Sequence, residues 1–287
     1  MASPDKMTRL FFLHIPKAGG TTFYDIIYRN FAYRKVAKID GTHVAQSIAD
    51  LSAQPMAIKK RFDSVIGHFT FGFHRQFSGK YTYITFLRNP VNRVVSLFNH
   101  IKNVPQHPLY EVVASKGMDI HSFATSDLTN EIDNDQVRRI AGSNEEIMGD
   151  ADLARAVENL ERSFSFVGVS EEYDQSLVLL RQHFPRWDVR YVARNIGQAD
   201  IGSSQRVCEK TLENIERRNR LDAALYRYVR ARFNAALQEM GGDLDAEVAE
   251  LRSRNARLWQ YEKRFAFPLQ RARLLRQYLR SKRRNHF

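Results

Sequence analysis

The chain has 287 residues, of which 43% are hydrophobic, so it can bury a substantial core and its body is not expected to be disordered. Its formal net charge of +12 indicates an anionic ligand or partner, such as a phosphate, a sulfated glycan or a nucleic acid. The single cysteine, Cys208, excludes an intrachain disulfide and a cysteine-based metal site.

The first predicted strand, residues 10–14, leads into a glycine- and threonine-rich turn and then into a helix over residues 22–31. Glycines allow a tight turn, the helix N-terminus supplies unpaired N–H donors, and Lys17 supplies a full positive charge. This combination predicts a site for a phosphate or a phosphate-like group. The residues predicted to form it are Lys17, Ala18, Gly19, Gly20, Thr21 and Thr22.

The order of residues in this turn differs from that of ordinary ATP and GTP loops. Those loops read G-x-x-x-x-G-K-[ST], with the lysine after the last glycine. Here the lysine precedes the glycines, in Pro-Lys-Ala-Gly-Gly-Thr-Thr. That order resembles the 5′-phosphosulfate loop of sulfotransferases that use 3′-phosphoadenosine 5′-phosphosulfate (PAPS). The resemblance implies that PAPS is the sulfuryl donor, that Lys17 stabilises its leaving group, and that no metal is required.

The second predicted strand, residues 64–67, ends at Gly67-His68. A similar Gly-His follows the corresponding strand in uronyl and heparan 2-O-sulfotransferases, which implies that His68 is the catalytic base. A neutral imidazole suits that role near pH 7. The other candidates for the base, which the sequence leaves open, are His14, His74, His100 and His107.

A third predicted strand, residues 81–87, runs into Arg88, and Pro90 opens a helix over residues 91–101. Sulfotransferases carry a similar strand that ends in Arg-x-Pro, with a serine eight residues after the arginine. The resemblance implies that Arg88 and Ser96 hold the 3′-phosphate of the nucleotide. A guanidinium can grip phosphate oxygens bidentately, and a hydroxyl adds a shorter donor.

Residues 103–129 contain two prolines and a glycine, and we predict a loop or lid there. The helix predicted over 133–141 contains Asn-x-Gln-x-Arg-x-x-Ala-Gly, which is similar to a stretch of the 2-O-sulfotransferases. We therefore predict acceptor contacts by Gln136 and Arg138, since arginine suits carboxylated or sulfated sugars. The alternative is an amphipathic helix with Arg138 facing solvent.

The rest of the body continues to alternate strands with helices, which predicts a parallel sheet with helices on both faces. Together with the resemblance, this indicates an α/β protein with a P-loop-like three-layer fold, whose ligand crevice lies at the carboxyl ends of the strands. The remaining predicted elements are a helix at 151–162, a strand at 164–169, a helix at 172–183, a strand at 189–192, and helices at 205–218 and 220–238.

The segment 241–287 carries twelve Lys or Arg residues and only five Asp or Glu, so we divide the chain into a catalytic domain, 1–240, and a basic helical extension, 241–287. Leucines or phenylalanine recur every seven residues from 244 to 265, which hints at a helical seam and leaves monomer and dimer both open. The extension either packs on the body with a solvated basic face, or binds a polyanion or an anionic membrane surface through residues 269–287.

No apolar run approaches the ~20 residues that span a bilayer, and residues 1–6 contain no signal-peptide core. We therefore expect a bacterial-type cytoplasmic protein, with peripheral membrane contact through the basic extension as an alternative.

Taken together, these motifs predict a PAPS-dependent sulfotransferase that acts on a hydroxyl of a glycan, a glycolipid or a related acceptor. Two other functions stay open. A nucleotide-dependent kinase shares the strand–loop–helix architecture but needs a Gly-Lys-Ser/Thr loop and a Mg²⁺-binding aspartate. A polyanion- or nucleic-acid-binding protein fits the charge, but the chain contains no motif for a specific nucleic acid.

Overall fold

The computed structural model describes residues 8–193 and 207–266, and its centre is a five-stranded sheet. All four strand pairings are parallel, and the strand order is β2-β3-β1-β4-β5. Helices flank the sheet, so the predicted α/β class with a central parallel sheet is confirmed. The strands are β1 (Arg9–Leu13), β2 (Val36–Lys38), β3 (Ser64–Gly67), β4 (Tyr81–Leu87) and β5 (Phe164–Val169).

The helices of the described ranges connect these strands and complete the body. Between the strands lie α1 (Gly20–Asn30), α2 (Val44–Ala53), α3 (Met56–Lys59), α4 (Pro90–Asn103), α5 (Tyr110–Ser115), α6 (Ile120–Thr125), α7 (Asp135–Ala141) and α8 (Asp150–Ser163). After β5 come α9 (Tyr173–His183), α10 (Glu209–Arg218), α11 (Arg220–Met240) and α12 (Asp243–Tyr261), the last followed by a π-helical turn, Glu262–Ala266.

Strand β1 occupies the middle of the sheet, and all five of its residues are buried. Strands covered on both faces read as continuous apolar runs, which is why its sequence shows no alternation. Its neighbours are β3, where Leu13 is in register with Gly67, and β4. The segments that follow these three strands, residues 14–19, His68 and Arg88, therefore meet at one edge of the sheet. The sheet order reverses at this point, where ligands bind in open α/β folds.

Two sequence predictions were wrong. Residues 189–192 do not form a strand, because the backbone N–H of Tyr191 donates to Oδ1 of Asn255 at 2.9 Å and its hydroxyl to Asp174 at 2.7 Å. Side chains of α12 and α9 thus take the place of a partner strand. The stretch 103–129 is not one loop, since it contains α5 and α6, whose apolar side chains pack against α4.

Helix α6 shows why the loop prediction failed. Its N-cap Asp119 accepts from the backbone N–H of Ser122 at 2.8 Å, while the Ser122 hydroxyl accepts from the Asp119 N–H at 3.0 Å. This capping box stabilises a helix too short to be recognised from periodicity. Strand β2 was also not predicted, because three residues carry almost no pattern.

Helix α12 forms the first part of the predicted basic extension. Val248 and Leu251 are buried in the main core, and Arg181 pairs with Glu247 at 2.6 Å. Residues 243–261 thus pack on the body as a helix, while the domain boundary after residue 240 stays a prediction. The arm at 269–287 lies outside the described residues. Among the helices that the structure describes, none is both long and apolar enough to cross a membrane.

Candidate active site

The β1–α1 loop, residues 14–19, has the backbone of an anion cradle. Lys17 has a positive φ of 66° and Gly19 of 81°, so the chain turns sharply before α1 begins. For a lysine the left-handed region costs on the order of 1–2 kcal/mol, which the surrounding structure must offset. The N-cap of α1 is Gly19, which has no side chain to cap the helix, and the first turn contains no acidic residue. Its N–H donors and partial positive charge therefore suit an anion.

Gly20 is required by close packing. A Cβ there would lie 2.0 Å from Cδ2 of His14, which is far inside van der Waals contact. The His14 ring is buried, and its Nδ1 is hydrogen-bonded to the Tyr24 hydroxyl at 2.7 Å. Of the two predicted threonines that follow, Thr21 is exposed and Thr22 is buried. The second glycine of the motif thus makes room for His14, which sequence reasoning did not anticipate.

Arg88 is joined directly to this loop. Its Nη1 donates to the carbonyl of Lys17 at 3.0 Å. Its own backbone is held by Gln136, which accepts from the Arg88 N–H at 3.0 Å and donates from Nε2 to the Arg88 carbonyl at 2.9 Å. Gln136 is fully buried, and both ends of its amide are used. Gln136 thus holds the backbone of Arg88 in place, and its predicted acceptor contact stays a prediction.

Ser96 lies half-buried in the second turn of α4, the helix that follows Arg88. This helix begins with Pro90, and Asn89 caps it by accepting from the Asn92 N–H at 3.2 Å. A capped helix fixes the direction of Ser96 relative to Arg88. Within the described ranges, the structure therefore places both predicted 3′-phosphate residues on one rigid strand–helix unit.

His68 follows β3 on the other side of β1. Its Nδ1 is 2.8 Å from the carbonyl oxygen of His14, and its ring stacks on the His14 ring with centroids 4.3 Å apart. A carbonyl only accepts, so Nδ1 carries the proton and Nε2 keeps its lone pair. Burial, and then the charge of Arg139, lowers the pKa of His68 to about 4. The ring is therefore neutral at pH 7, as a general base must be.

Two further histidines lie within the electrostatic reach of Lys17. The rings of His100 and His107 meet edge to face at 5.6 Å. Burial, and then the charge of Lys17, lowers the pKa of both, to about 4 for His100. His74 differs, because its ring stacks on Tyr81 near the start of β4, away from the carboxyl ends of the strands.

Arg138 is bound within the protein, and its predicted acceptor contact stays a prediction. Its guanidinium donates to the backbone carbonyls of Glu145 and Glu146, so it closes the segment that follows α7. Its neighbour Arg139 is the residue that sequence reasoning missed. Arg139 pairs with Asp135 at 2.9 Å, and its charge contributes to the lowered pKa of His68. The i,i+4 spacing of Asp135 and Arg139 was the available signal.

A buried polar cluster lies beneath this helix, and we call it the α7 platform. The fully buried Arg93 of α4 pairs with Asp135 at 3.4 Å. The carboxylate of Asp222 accepts the N–H groups of Gln136 at 3.1 Å and Val137 at 2.8 Å, so it caps the start of α7. Burial raises the pKa of Asp222 to about 6. The members of the platform are Arg93, Glu131, Asp135, Gln136, Arg139 and Asp222.

Nothing within residues 8–193 and 207–266 is arranged as a group of three or more His, Cys, Asp or Glu side chains that could hold a metal ion. The predicted absence of a metal requirement stays a prediction.

The model of the galactose-3-O-sulfotransferase family matches residues 2–263, which is most of the chain. A crystal structure of the mouse sulfotransferase SULT7A1 complexed with PAP matches at a TM-score of 0.36 and 15% sequence identity. That match covers 74% of this chain, and the chain spans 63% of the length of the mouse protein in that structure. No curated protein is similar enough to count as a match.

Proposed function

The chain belongs to the galactose-3-O-sulfotransferase family, a family of PAPS-dependent sulfotransferases, and from this premise we propose its reaction. It transfers the sulfuryl group of PAPS to a hydroxyl of a glycan, a glycolipid or a related acceptor. The name of the family points to the 3-hydroxyl of a galactose unit. One observation carries the proposal: the N-terminus of α1, Arg88 and the neutral His68 converge at the carboxyl ends of three adjacent strands.

The residues at this edge fit a nucleotide with two phosphate groups. The hydroxyl oxygen of Ser170 is buried without a hydrogen-bond partner among the described residues, and it lies 3.8 Å from where a Cβ on Gly19 would be. A buried hydroxyl without a partner is costly, and an anion in the adjacent cradle would satisfy it. We assign the 5′-phosphosulfate to the segment from Lys17 to Thr22, and the 3′-phosphate to Arg88 and Ser96.

The chemical step is an in-line displacement at sulfur. The acceptor oxygen forms a bond to sulfur as its proton passes to Nε2 of His68. The bond between sulfur and the bridging oxygen of the 5′-phosphate breaks, and the electron pair stays on that oxygen, which yields 3′-phosphoadenosine 5′-phosphate (PAP). Lys17 neutralises the charge that grows on the leaving oxygen. Positioning and electrostatics therefore supply most of the catalysis, as in phosphoryl transfer.

The pKa of His68, about 4 in the protein alone, explains why the ring stays available as a proton acceptor. A base with so low a pKa takes a proton weakly, which would limit its efficiency. The bound donor changes this, because its anionic groups favour the protonated ring and raise the pKa of His68. Proton acceptance is thus strongest when PAPS is in place.

For the acceptor, the roles of Gln136 and Arg138 stay predictions. Both side chains are engaged, Gln136 with Arg88 and Arg138 with the carbonyls of Glu145 and Glu146. We propose that they shape the floor of the acceptor site by holding these neighbours in place.

Calorimetric binding of PAP, compared with ATP in the presence of Mg²⁺, tests the proposal. We expect metal-free PAP binding, weakened about 10- to 100-fold by Arg88→Ala because a charge-assisted contact is worth roughly 1.5–3 kcal/mol. Lys17→Ala should weaken it as well. Arg162→Ala is the matched control, since its exposed side chain lies on α8 and its ion-pair partner among the described residues is Glu158. Preference for ATP with Mg²⁺ would favour the kinase, and no nucleotide binding would favour the polyanion-binding protein.

A further inference from the structure

The turn that follows β2, residues 40–43, lies beside the ring of His68. A Cβ built on Gly41 would be 3.3 Å from both Cδ2 and Nε2 of His68. That distance is shorter than nine in ten real Cβ contacts, so a methyl group at this position would require the ring to shift by a few tenths of an ångström. Gly41 therefore leaves open the space next to the nitrogen that carries the lone pair.

Only one ring nitrogen of His68 can serve as a base. Nδ1 donates to the His14 carbonyl at 2.8 Å, while no hydrogen bond to Nε2 occurs within the described ranges. The ring face toward β1 is covered by the stacked His14 ring. An acceptor hydroxyl must therefore approach Nε2 along the ring edge, which is the edge that Gly41 borders.

The turn itself does not depend on the glycine. Asp40 holds it, because Oδ1 accepts from the backbone N–H of Thr42 at 2.8 Å and from its hydroxyl at 2.6 Å. The backbone N–H of Asp40 in turn donates to the Ser47 hydroxyl of α2 at 3.2 Å. Gly41 is not among the glycines with a positive φ, so its backbone conformation is open to any residue. What this position contributes is the absence of a side chain.

We infer that the turn 40–43 forms one wall of the opening through which an acceptor hydroxyl reaches Nε2 of His68, and that Gly41 sets the size of this opening. The inference rests on the proposed function for the identity of the acceptor, a sugar hydroxyl. The close approach of Gly41 to the His68 ring does not depend on that proposal. Gly41 acts as a specificity-determining position: a small side chain narrows the opening and a branched one closes it.

The accessibility of Nε2 can be measured without the acceptor. Diethyl pyrocarbonate acylates neutral imidazole: the nitrogen bonds to one carbonyl carbon, and the other half leaves as carbon dioxide and ethanol. Mass spectrometry of the peptide that contains His68 gives the rate in the wild-type protein, Gly41→Ala and Gly41→Val. We expect slowing of about tenfold for alanine and a larger effect for valine, because overpacking costs rise with volume.

Gly149→Ala is the matched control, since nothing lies within 4 Å of a Cβ there and its φ is −128°. It should leave the labelling rate of His68 unchanged. Equal rates in all four proteins, or no labelling of His68 in the wild type, would overturn the inference. PAP affinity measured on the same variants should not change, because Gly41 is placed beside the base and not in the β1–α1 loop.

A second assay connects the opening to turnover. With PAPS as donor and phenyl β-galactoside as the acceptor probe, Gly41→Val should lower kcat/KM for the galactoside at least as much as it slows labelling. Unchanged kcat/KM beside slowed labelling would place the acceptor elsewhere and overturn the inference. Failure of the wild-type protein to bind PAP would instead count against the proposed function, while the labelling result would still decide the role of Gly41.

Discussion

The β1–α1 loop and the α7 platform lie near the same edge of the sheet but differ in how their polar and charged groups are arranged. The loop places the N–H groups at the start of α1 and one charged residue, Lys17, at this edge, and Gly19 at the N-cap of α1 has no side chain. The platform turns its charges inward, so that Arg93 is fully buried against Asp135. The loop suits an anionic ligand, whereas the charges of the platform pair with one another inside the folded protein.

This difference separates residues that act on the substrate from residues that hold the site together. Removing a group that faces the ligand leaves no buried charge behind, so it should affect catalysis or binding and spare the fold. Removing one partner of a platform ion pair leaves the other as an unpaired charge in a low-dielectric interior, which lowers the free energy of unfolding. Three substitutions measure how sharp this separation is.

The largest expected effect is that of His68→Ala on turnover. A general base contributes about 10²–10⁴-fold, so kcat for transfer from PAPS to phenyl β-galactoside should fall by that factor. PAP affinity by calorimetry should stay within about twofold, because the hydrogen bond that His68 makes to the β1–α1 loop is to the His14 carbonyl, outside the segment from Lys17 to Thr22 that we assign to the phosphosulfate. Equal losses of kcat and of PAP affinity would mean that His68 is structural.

The pH profile supplies the control for this assignment. The wild-type kcat/KM reports the free protein and should fall as the pH drops toward about 4, where His68 takes up a proton. In His68→Ala this fall of kcat/KM at acid pH should disappear. The free energy of unfolding should change with pH in the same direction. Because the pKa of His68 lies below its ordinary value of 6.5, the contribution of the neutral ring to stability is complete above pH 6.5 and is lost as the pH falls toward about 4.

The second effect is on the free energy of unfolding. Asp135→Asn removes the charge that pairs with Arg93 and Arg139. It should lower the free energy of unfolding, measured by urea denaturation, by about 3–5 kcal/mol. The matched control is Asp150→Asn, the same change at an exposed pair with Arg220, where we expect less than about 1 kcal/mol. Similar losses at both positions would show that the platform does not stabilise the fold.

The smallest expected effect is on PAP affinity, and it tests whether the platform supports Arg88. Gln136→Leu keeps the volume of the side chain but removes both hydrogen bonds to the Arg88 backbone. With Arg88 less firmly held, PAP affinity should fall about three- to tenfold, while kcat at saturating PAPS should change little. Gln46→Leu on the exposed face of α2 is the control. An unchanged PAP affinity in Gln136→Leu would separate the platform from the donor site.

Much of the fold could be predicted because its signals are local, and the residues that we propose for the donor site lie in the same stretches. Strand β1, the loop through Thr22, and the β4–α4 unit with Arg88 each occupy a short stretch in which composition and spacing suffice. The failures share the opposite property. Residues 189–192 have the composition of a strand, yet α9 and α12 supply their hydrogen-bond partners, and no local pattern reveals that.

The class of fold and the family follow from the sequence alone, and so does the prediction of the anion cradle, because each depends on contiguous residues with a physical reason for their order. The roles that we propose for Gln136 and Gly41 depend instead on contacts that form only in the folded chain. Gln136 meets Arg88 across 48 residues of chain, and Gly41 meets His68 only because β2 pairs with β3. Contacts of this kind depend on which strands become neighbours, and strand order is a property of the folded chain as a whole.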